Sequence, residues 1–274
     1  MVEALDLLAT LDDAKVLAGG QSLVPLMNFR LAAPAHLVDI SRLGELAAIV
    51  VDDEAVTVGA AVTHARLHAH DGAAAACPLL REALGLVAHE VIRNRGTVCG
   101  SLAHADPSGE LTAVLAVLGG TVEARSTGGA RRLGAAELFQ GPLMNGLAED
   151  ELLVSASFPR IGPRTGTAFD EIARRHGDYA VAGAAARVSV DGDGVVSEAA
   201  VAFISVGPVP VVVDLSEPVV GQPAGTVDPA AVYDHVVERV DPREDIHATA
   251  EYRRHLAGVT ATRAIAAAAE RAAA

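Results

Sequence analysis

The clearest chemistry in the sequence lies in two short runs of small residues. The first, Leu17-Ala18-Gly19-Gly20-Gln21-Ser22-Leu23-Val24, sets a double glycine and a hydroxyl directly after an apolar pair. Glycine reaches left-handed dihedrals at little cost, so successive N–H groups in such a turn can converge on one anion. The second run, Arg95-Gly96-Thr97-Val98-Cys99-Gly100-Ser101, has the same character. Taken alone, Gly19-Gly20 is equally compatible with an ordinary β-turn. Paired with Thr97, Gly100 and Ser101, it suits the two phosphates of a dinucleotide held by neutral backbone donors.

Other groups surround these runs. The segment from Ser101 to Glu110, with His104 and Asp106 in it, is polar and small and precedes the apolar run Leu111–Leu118. Ser108 is placed to cap a helix there, with Glu110 in the first turn, where the dipole favours a carboxylate. A functional Glu110 would instead accept hydrogen bonds from sugar hydroxyls. Arg93 and Arg95 read either as ligand contacts or as solvated charges at a helix end. Tyr179, one of three tyrosines, is suited either to stacking on a planar ligand or to packing at the edge of a core.

Several chemistries find no footing. His64, His68 and His70 lack an acidic or cysteine partner at ligand spacing, so no metal site is assigned. His89-Glu90 is not followed by the second histidine of H-E-x-x-H, and neither G-x-S-x-G, a Walker A motif nor a strand-borne G-x-G-x-x-G is present. Lys15 is the only lysine, which leaves Schiff-base chemistry a single candidate. Cys77 and Cys99 form no C-x-x-C and are too few to ligate an iron–sulfur cluster or a structural zinc.

The 274 residues allow one large domain or two modest ones, and with 51% hydrophobic but 3% aromatic residues the core must be aliphatic. A formal charge of −14 argues against nucleic acid or an anionic membrane as partner. No apolar run reaches the ~18 residues of a membrane span, and nothing resembles a signal peptide, so a cytoplasmic protein is expected.

The elements that must position these groups follow from periodicity. Residues 3–11 read as a helix, Lys15–Leu17 as a strand ending at the first loop, 23–31 as a helical turn and loop, and His36–Ile40 as a second strand. A hairpin about Asp52-Asp53 sets Ile49 and Val51 opposite Val56 and Val58. Helices are expected from Thr63 as N-cap through His70, from Cys77 to His89 and over Leu111–Leu118. A hairpin over 119–134, a short helix and a strand at 151–159 follow. Pro159–Gly166 is the candidate domain boundary. Beyond it come a strand or loop at 168–173, a helix-like Ala180–Ala186 and strands at 186–190 and 195–206 about an Asp-Gly-Asp-Gly turn. A proline-rich crossing then leads to helices at 230–239 and 248–274, the last with a stripe of Tyr252, Leu256, Val259 and Ile265. The mixed order indicates an α+β protein.

Three blocks, AGGQSLVPLMNFRLAAPAHLVDI, IRNRGTVCGSLAHADPSGEL and RRHGDYAVAG, resemble the FAD-binding medium subunit of the molybdenum hydroxylases, the family of carbon-monoxide, xanthine, nicotine and caffeine dehydrogenases. The resemblance extends to PREDIHATAEYRRHLAGVTATRAI. It implies an FAD-binding fold of the PCMH or vanillyl-alcohol-oxidase type over residues 1–160, with subdomains of about 1–48 and 49–160. A C-terminal α+β domain over 165–274, with a three-stranded antiparallel sheet, would follow.

Carried over by position, the resemblance implies that Leu17, Ala18, Gly19, Gly20, Gln21, Ser22, Leu23 and Val24 wrap the FAD pyrophosphate. Thr97, Gly100, Ser101, His104 and Asp106 match the second FAD loop and the segment after it, and Glu110 an acidic ribityl or ribose contact. Leu153 falls near the wall of the cofactor channel and Tyr179 near the flavin ring. No catalytic residue and no metal ligand are implied in this chain.

Electrons would arrive from two [2Fe-2S] clusters of a small partner subunit. They would leave for an external acceptor, while a large subunit with molybdopterin cytosine dinucleotide hydroxylates an N-heterocycle or oxidises CO. A dimer of such heterotrimers is the implied assembly. Cys99 and Ser101 stand where many relatives have Gly or Ile and Asn, and Asp170 where xanthine-oxidising members carry lysine, which argues against NAD as acceptor. Relatives also carry a leading strand before Glu3, so a sheet edge is expected to be open here. A stand-alone FAD oxidoreductase of the same fold, a flavin-free scaffold subunit and a binding protein for an acidic ligand are the alternatives.

Overall fold

Lys15-Val16-Leu17 and Leu37-Val38-Asp39 run side by side in the computed structural model, which describes residues 1–274. Helix α1 (Val2–Thr10), strand β1 (Ala14–Leu17), helix α2 (Leu23–Asn28) and strand β2 (His36–Asp39) form the first unit, with β1 and β2 parallel and Leu17 opposite Asp39. Parallel strands need a crossover, and here the crossover is the Gly-Gly loop followed by α2.

The next unit is built on a five-stranded antiparallel sheet. Strands β3 (Ile49–Val51) and β4 (Ala55–Gly59) form the hairpin with Ile49 opposite Val58 and Val51 opposite Val56. Helices α3 (His64–His68), α4 (Asp71–Ala76), α5 (Pro78–Leu86), α6 (Glu90–Arg93), α7 (Val98–His104) and α8 (Glu110–Leu118) follow. Then come β5 (Thr121–Ser126), β6 (Gly129–Gly134), α9 (Ala135–Leu138), the small hairpin β7 (Phe139–Gly141) and β8 (Met144–Asn145), and β9 (Leu152–Pro159). The sheet order is β3-β4-β9-β5-β6.

Thr63 caps α3 by accepting from the Arg66 N–H, as its position suggests, but α3 stops at His68. His70 begins α4, its Nδ1 accepting from the Ala73 N–H. Ser108 does not cap α8. The N-cap is Gly109, and the Ser108 hydroxyl is engaged by Ser205 instead.

The last unit is a four-stranded antiparallel sheet of β10 (Thr165–Ala173), β11 (Ala180–Val190), β12 (Val196–Ile204) and β13 (Val211–Asp214), in that order, with α10 (Ser216–Val219), α11 (Pro229–Arg239) and α12 (Ala250–Ala273). The three-stranded sheet expected here gains β13 because Val211-Val212-Val213, β-branched and freed of prolines, pairs with β12 at the sheet edge.

Ala180–Ala186 is strand, not helix. Alanine's helix preference is small per residue, and here it yields to packing on both faces of the strand. Ala182, Ala184, Ala186 and Val188 belong to a core shared with α11 and α12, whereas Ala180 and Ala185 belong to the core of the preceding unit. From Ala182 onward the alternation has the period of a strand, an irregularity in the pairing with Ile172 and Ala173 shifting the faces at 180–182, and small side chains let two layers approach it. On α12, Leu256 and Ile265 of the expected stripe are buried, Val259 is partly buried and Tyr252 is half exposed; Arg253, Ala257, Ala261, Ala264 and Ala268 complete the buried face. The Cβ of a residue replacing Gly166 on β10 would stand 2.0 Å from the Ala268 carbonyl oxygen, so helix and sheet backbones touch. No helix is long and apolar enough to cross a membrane.

Candidate functional site

The two glycine loops lie against one another. A Cβ on Gly19 would stand 2.1 Å from the Arg95 carbonyl oxygen and 2.8 Å from Gly96 Cα, so only glycine permits this approach. Gly20 follows with φ of +73°, the left-handed turn that swings the chain into α2. The N–H groups of Ala18, Gly19, Gly20, Gln21 and Ser22 donate to no other group of the chain. Five consecutive donors on this partly exposed loop are therefore left to solvent or to a ligand. Leu17 closes the loop on one side by accepting from the Ile40 N–H, and the Val24 N–H closes the other by donating to Gly20.

The second loop is fixed by Thr97. Its hydroxyl oxygen accepts from the Gly100 N–H at 3.1 Å, and a Cβ on Gly100 would stand 2.6 Å from that oxygen. Gly100 therefore permits the cap, and its N–H is engaged. Thr97 keeps its hydroxyl proton, and the N–H groups of Thr97 and Cys99 remain without partners in the chain. Beneath the loop, the His64 N–H donates to the Gly96 carbonyl at 2.9 Å and the Val98 N–H to Val62 at 3.1 Å. The His64 ring is buried, with Nε2 2.9 Å from Ser101 Oγ. Burial lowers its pKa to about 4; the Thr97 backbone opposes this and the Arg93 charge reinforces it. Arg93 itself donates to the Val87 and Ala88 carbonyls, so it is a structural tie, whereas Arg95 is exposed.

On α7, Val98, Cys99 and Leu102 face the core while Ser101 and His104 are half exposed, three residues apart on one face. Burial pushes the Cys99 thiol far up, so it is an inert packing group. His104 Nε2 lies 3.9 Å from Asp106 Oδ2, and Asp106 Oδ1 accepts from the Ser108 N–H.

Beyond Asp106 the site passes to the C-terminal sheet. The Ser205 N–H donates to the Pro107 carbonyl at 2.8 Å. The Ser205 hydroxyl lies 2.7 Å from the Ala180 carbonyl and 2.8 Å from the Ser108 hydroxyl. Buried Arg253 clamps the same point, donating to the Val181 and Ser205 carbonyls and to Asp245. This latch brings Tyr179 to Asp106 and Glu110. Tyr179 is largely exposed, and its pKa is raised by partial desolvation at the junction, then by the charges of Asp106 and Glu110 and by its hydrogen bond to Asp106. The loop before it, with Gly177 at φ of +84°, is pressed on the His89 ring.

Glu110 opens α8 at this junction. Burial raises it to about 8; its own backbone N–H opposes the shift, and Glu171 and Asp106 add to it. Glu171, on β10, rises to about 7 through burial and the neighbouring Asp170. One oxygen of Glu171 is buried without a partner.

The structure thus gathers residues 17–24 with 95–101, continues through His104 and Asp106, and brings Tyr179 and Glu110 together. Leu153 stands apart: it sits in β9 with 4% of its surface exposed, inside the apolar core. His64 and Glu171 are neighbours of the site that sequence motifs did not mark. For Glu171 the available signal is a pair of carboxylates inside the apolar strand TAFDEIA. For His64 there is only its place beside a cap residue.

This geometry matches known proteins along the whole chain. Residues 1–161 match the FAD binding domain in molybdopterin dehydrogenase, and residues 167–268 the CO dehydrogenase flavoprotein C-terminal domain. The chain belongs to the FAD-binding medium subunits of the molybdenum hydroxylases. It is 41% identical to caffeine dehydrogenase subunit beta of Pseudomonas sp. strain CBB1, over 98% of this chain and 92% of that protein. Among solved structures, quinoline 2-oxidoreductase from Pseudomonas putida 86 superposes with a TM-score of 0.92 at 36% identity, covering 100% of this chain and 95% of that one. Carbon monoxide dehydrogenase from Hydrogenophaga pseudoflava, in a form lacking the Mo-pyranopterin moiety of its molybdenum cofactor, gives 0.92 at 34% identity, covering 98% and 94%. The family-level role is that of the flavin-carrying electron-transfer subunit of a multi-subunit hydroxylase, and the mixed α+β architecture is that of the family's FAD-binding fold.

Proposed function

We propose that FAD lies with its pyrophosphate across the Ala18–Ser22 loop, its second phosphate contact at Thr97 and Ser101, and its sugar and flavin portions along His104, Asp106, Glu110 and Tyr179. The observation that carries this is the row of five unpartnered N–H groups, seated where Gly19 alone fits against Arg95. Neutral donors suit a chain of charge −14, in which 35 acidic side chains outnumber 21 basic ones. Leu17, Leu23 and Val24 frame the loop, and Leu153 supports the wall from the core. Glu110, favouring the protonated form, has both an acceptor oxygen and an O–H donor for a sugar hydroxyl.

Bound FAD would supply one- and two-electron chemistry between partners; the chain's own work is to bind, orient and shield it. We assign electron entry to the [2Fe-2S] clusters of a small subunit. Hydroxylation belongs to a large subunit with molybdopterin cytosine dinucleotide, within a dimer of heterotrimers. A small N-heterocycle is the proposed substrate class, supported by the caffeine- and quinoline-oxidising relatives. The cytoplasm is the proposed compartment, in keeping with two free, buried thiols. Absorption spectra and cofactor analysis of the purified complex test this assignment. One FAD per copy of this chain is expected, and flavin bound wholly on another chain would overturn it.

A further inference from the structure

His64 lies beneath both loops. A Cβ on Gly96 would stand 3.1 Å from Cε1 and Nδ1 of its ring, and Gly19 rests on Gly96 from above. Ring, Gly96 and Gly19 therefore make three layers with no room for a side chain between them. At the ring's other edge Nε2 meets Ser101 Oγ at 2.9 Å, while Nδ1 is buried without a hydrogen-bond partner.

A neutral imidazole carries its proton on one nitrogen only. An orphaned buried N–H is among the rarest features of folded proteins, so a partnerless Nδ1 is better left as a lone pair and the proton placed on Nε2. Nε2–H then donates to Ser101 Oγ. Ser101 accepts inward, and its own proton is left to donate outward from a half-exposed side chain. The other tautomer would strand an N–H at Nδ1 and turn the Ser101 proton into the protein. The groups acting on the ring are the Thr97 backbone, the Ser101 hydroxyl and the Arg93 cation, and burial keeps the ring neutral down to about pH 4.

We infer that His64 is a positioning residue for an anionic ligand of the cradle: as the Nε2–H tautomer it makes the Ser101 hydroxyl an outward donor to a phosphate oxygen and sets the height of Gly96 under Gly19. This rests on the assignment of FAD to the two loops. Of the two histidines that follow on the same stretch, His68 and His70, the latter is occupied as a helix cap, and His64 is the one packed under Gly96.

The test uses the full chain and FAD itself. Nitrogen NMR of labelled histidine at pH 7, with the His64 signal identified by its loss in His64→Gln, should show a protonated Nε2 and a bare Nδ1. A protonated Nδ1 overturns the inference. In FAD titrations, Ser101→Ala and His64→Leu should each weaken binding about tenfold, the range of one hydrogen bond to a charged group. The double variant should be no weaker than the single ones, because both remove the same interaction. His64→Gln, whose amide reaches the Nε2 position, should bind within about threefold of wild type. Additive losses in the double variant, or a Gln variant as weak as Leu, would reduce His64 to a packing role. Should His64→Leu fail to fold, the tautomer and the Gln variant decide the matter. A wild-type chain that binds no FAD would overturn the cradle assignment and the role of Ser101 with it, while the tautomer spectrum still reports the hydrogen bond.

Discussion

The two ends of the site are made of different material. At the cradle, residues 18–22 and 95–101 present main-chain N–H groups, and glycine at positions 19 and 100 is required because a Cβ would collide with a carbonyl or a hydroxyl oxygen. At the junction, Asp106 in the α7–α8 loop, Glu110 at the start of α8, Glu171 on β10 and Tyr179 in the loop before β11 present carboxyl and phenol groups, held together by Ser205 and Arg253. The cradle presents donors and no acidic side chain. The junction concentrates acidic groups, and burial raises Glu110 and Glu171 until their protons are retained near neutrality. One end offers fixed dipoles, which do not change with pH, and the other carries carboxyl groups whose protonation does.

The contrast is broken most severely by Gly19→Val. The new side chain must displace Arg95 and Gly96, so the chain should purify with little FAD and an affinity at least about a hundredfold lower, an effect of ~3 kcal/mol or more. Circular dichroism should remain that of the wild type. Full flavin occupancy would show that the loop does not touch the cofactor.

Glu110→Gln sharpens the other end. The folded-state pKa of about 8 lies above the ordinary 4.5, so between those values the folded chain holds a proton that the unfolded chain has released. The stability tied to this proton is fully present below pH 4.5 and lost as pH rises through 8. In FAD-free protein, wild type and Glu110→Gln should melt alike near pH 5. The Gln variant should pull ahead by several degrees at pH 8.5. A constant difference across this range would contradict the assignment. Glu171→Gln should show a weaker version of the same curve, complete about one pH unit earlier because its pKa is about 7. The smallest effect is expected from Tyr179→Phe, which removes an exposed residue's hydroxyl and should change FAD affinity by less than about threefold. A larger loss would make the phenol a direct cofactor ligand.

The same contrast explains what the sequence revealed. The two glycine loops were legible because their geometry is local: Gly19-Gly20-Gln21-Ser22 and Thr97 to Ser101 each declare a turn and its donors within a few residues. The β3–β4 hairpin and the Thr63 cap were legible for the same reason. What failed was non-local. Ala180–Ala186 carries helix-forming residues whose strand conformation is imposed by layers on both faces. On α12, Leu256 and Ile265 of the expected stripe are buried, but Tyr252 is not, and alanines fill most of the face that approaches the sheet. His64 meets Ser101, and Glu171 meets Glu110, only after the chain has folded, and no spacing encodes either pair. Ser108 looked like a cap and serves instead to tie two units through Ser205.

Amide hydrogen exchange across the Ala18–Val24 segment, compared in FAD-free and FAD-loaded full-length protein, tests the central claim most directly. Five N–H groups with no partner in the chain should exchange rapidly without FAD and slow by at least about tenfold when the pyrophosphate accepts from them. Stoichiometric FAD binding that leaves these amides as fast as before would mean that the cofactor is held elsewhere and that the glycine loop is only a turn.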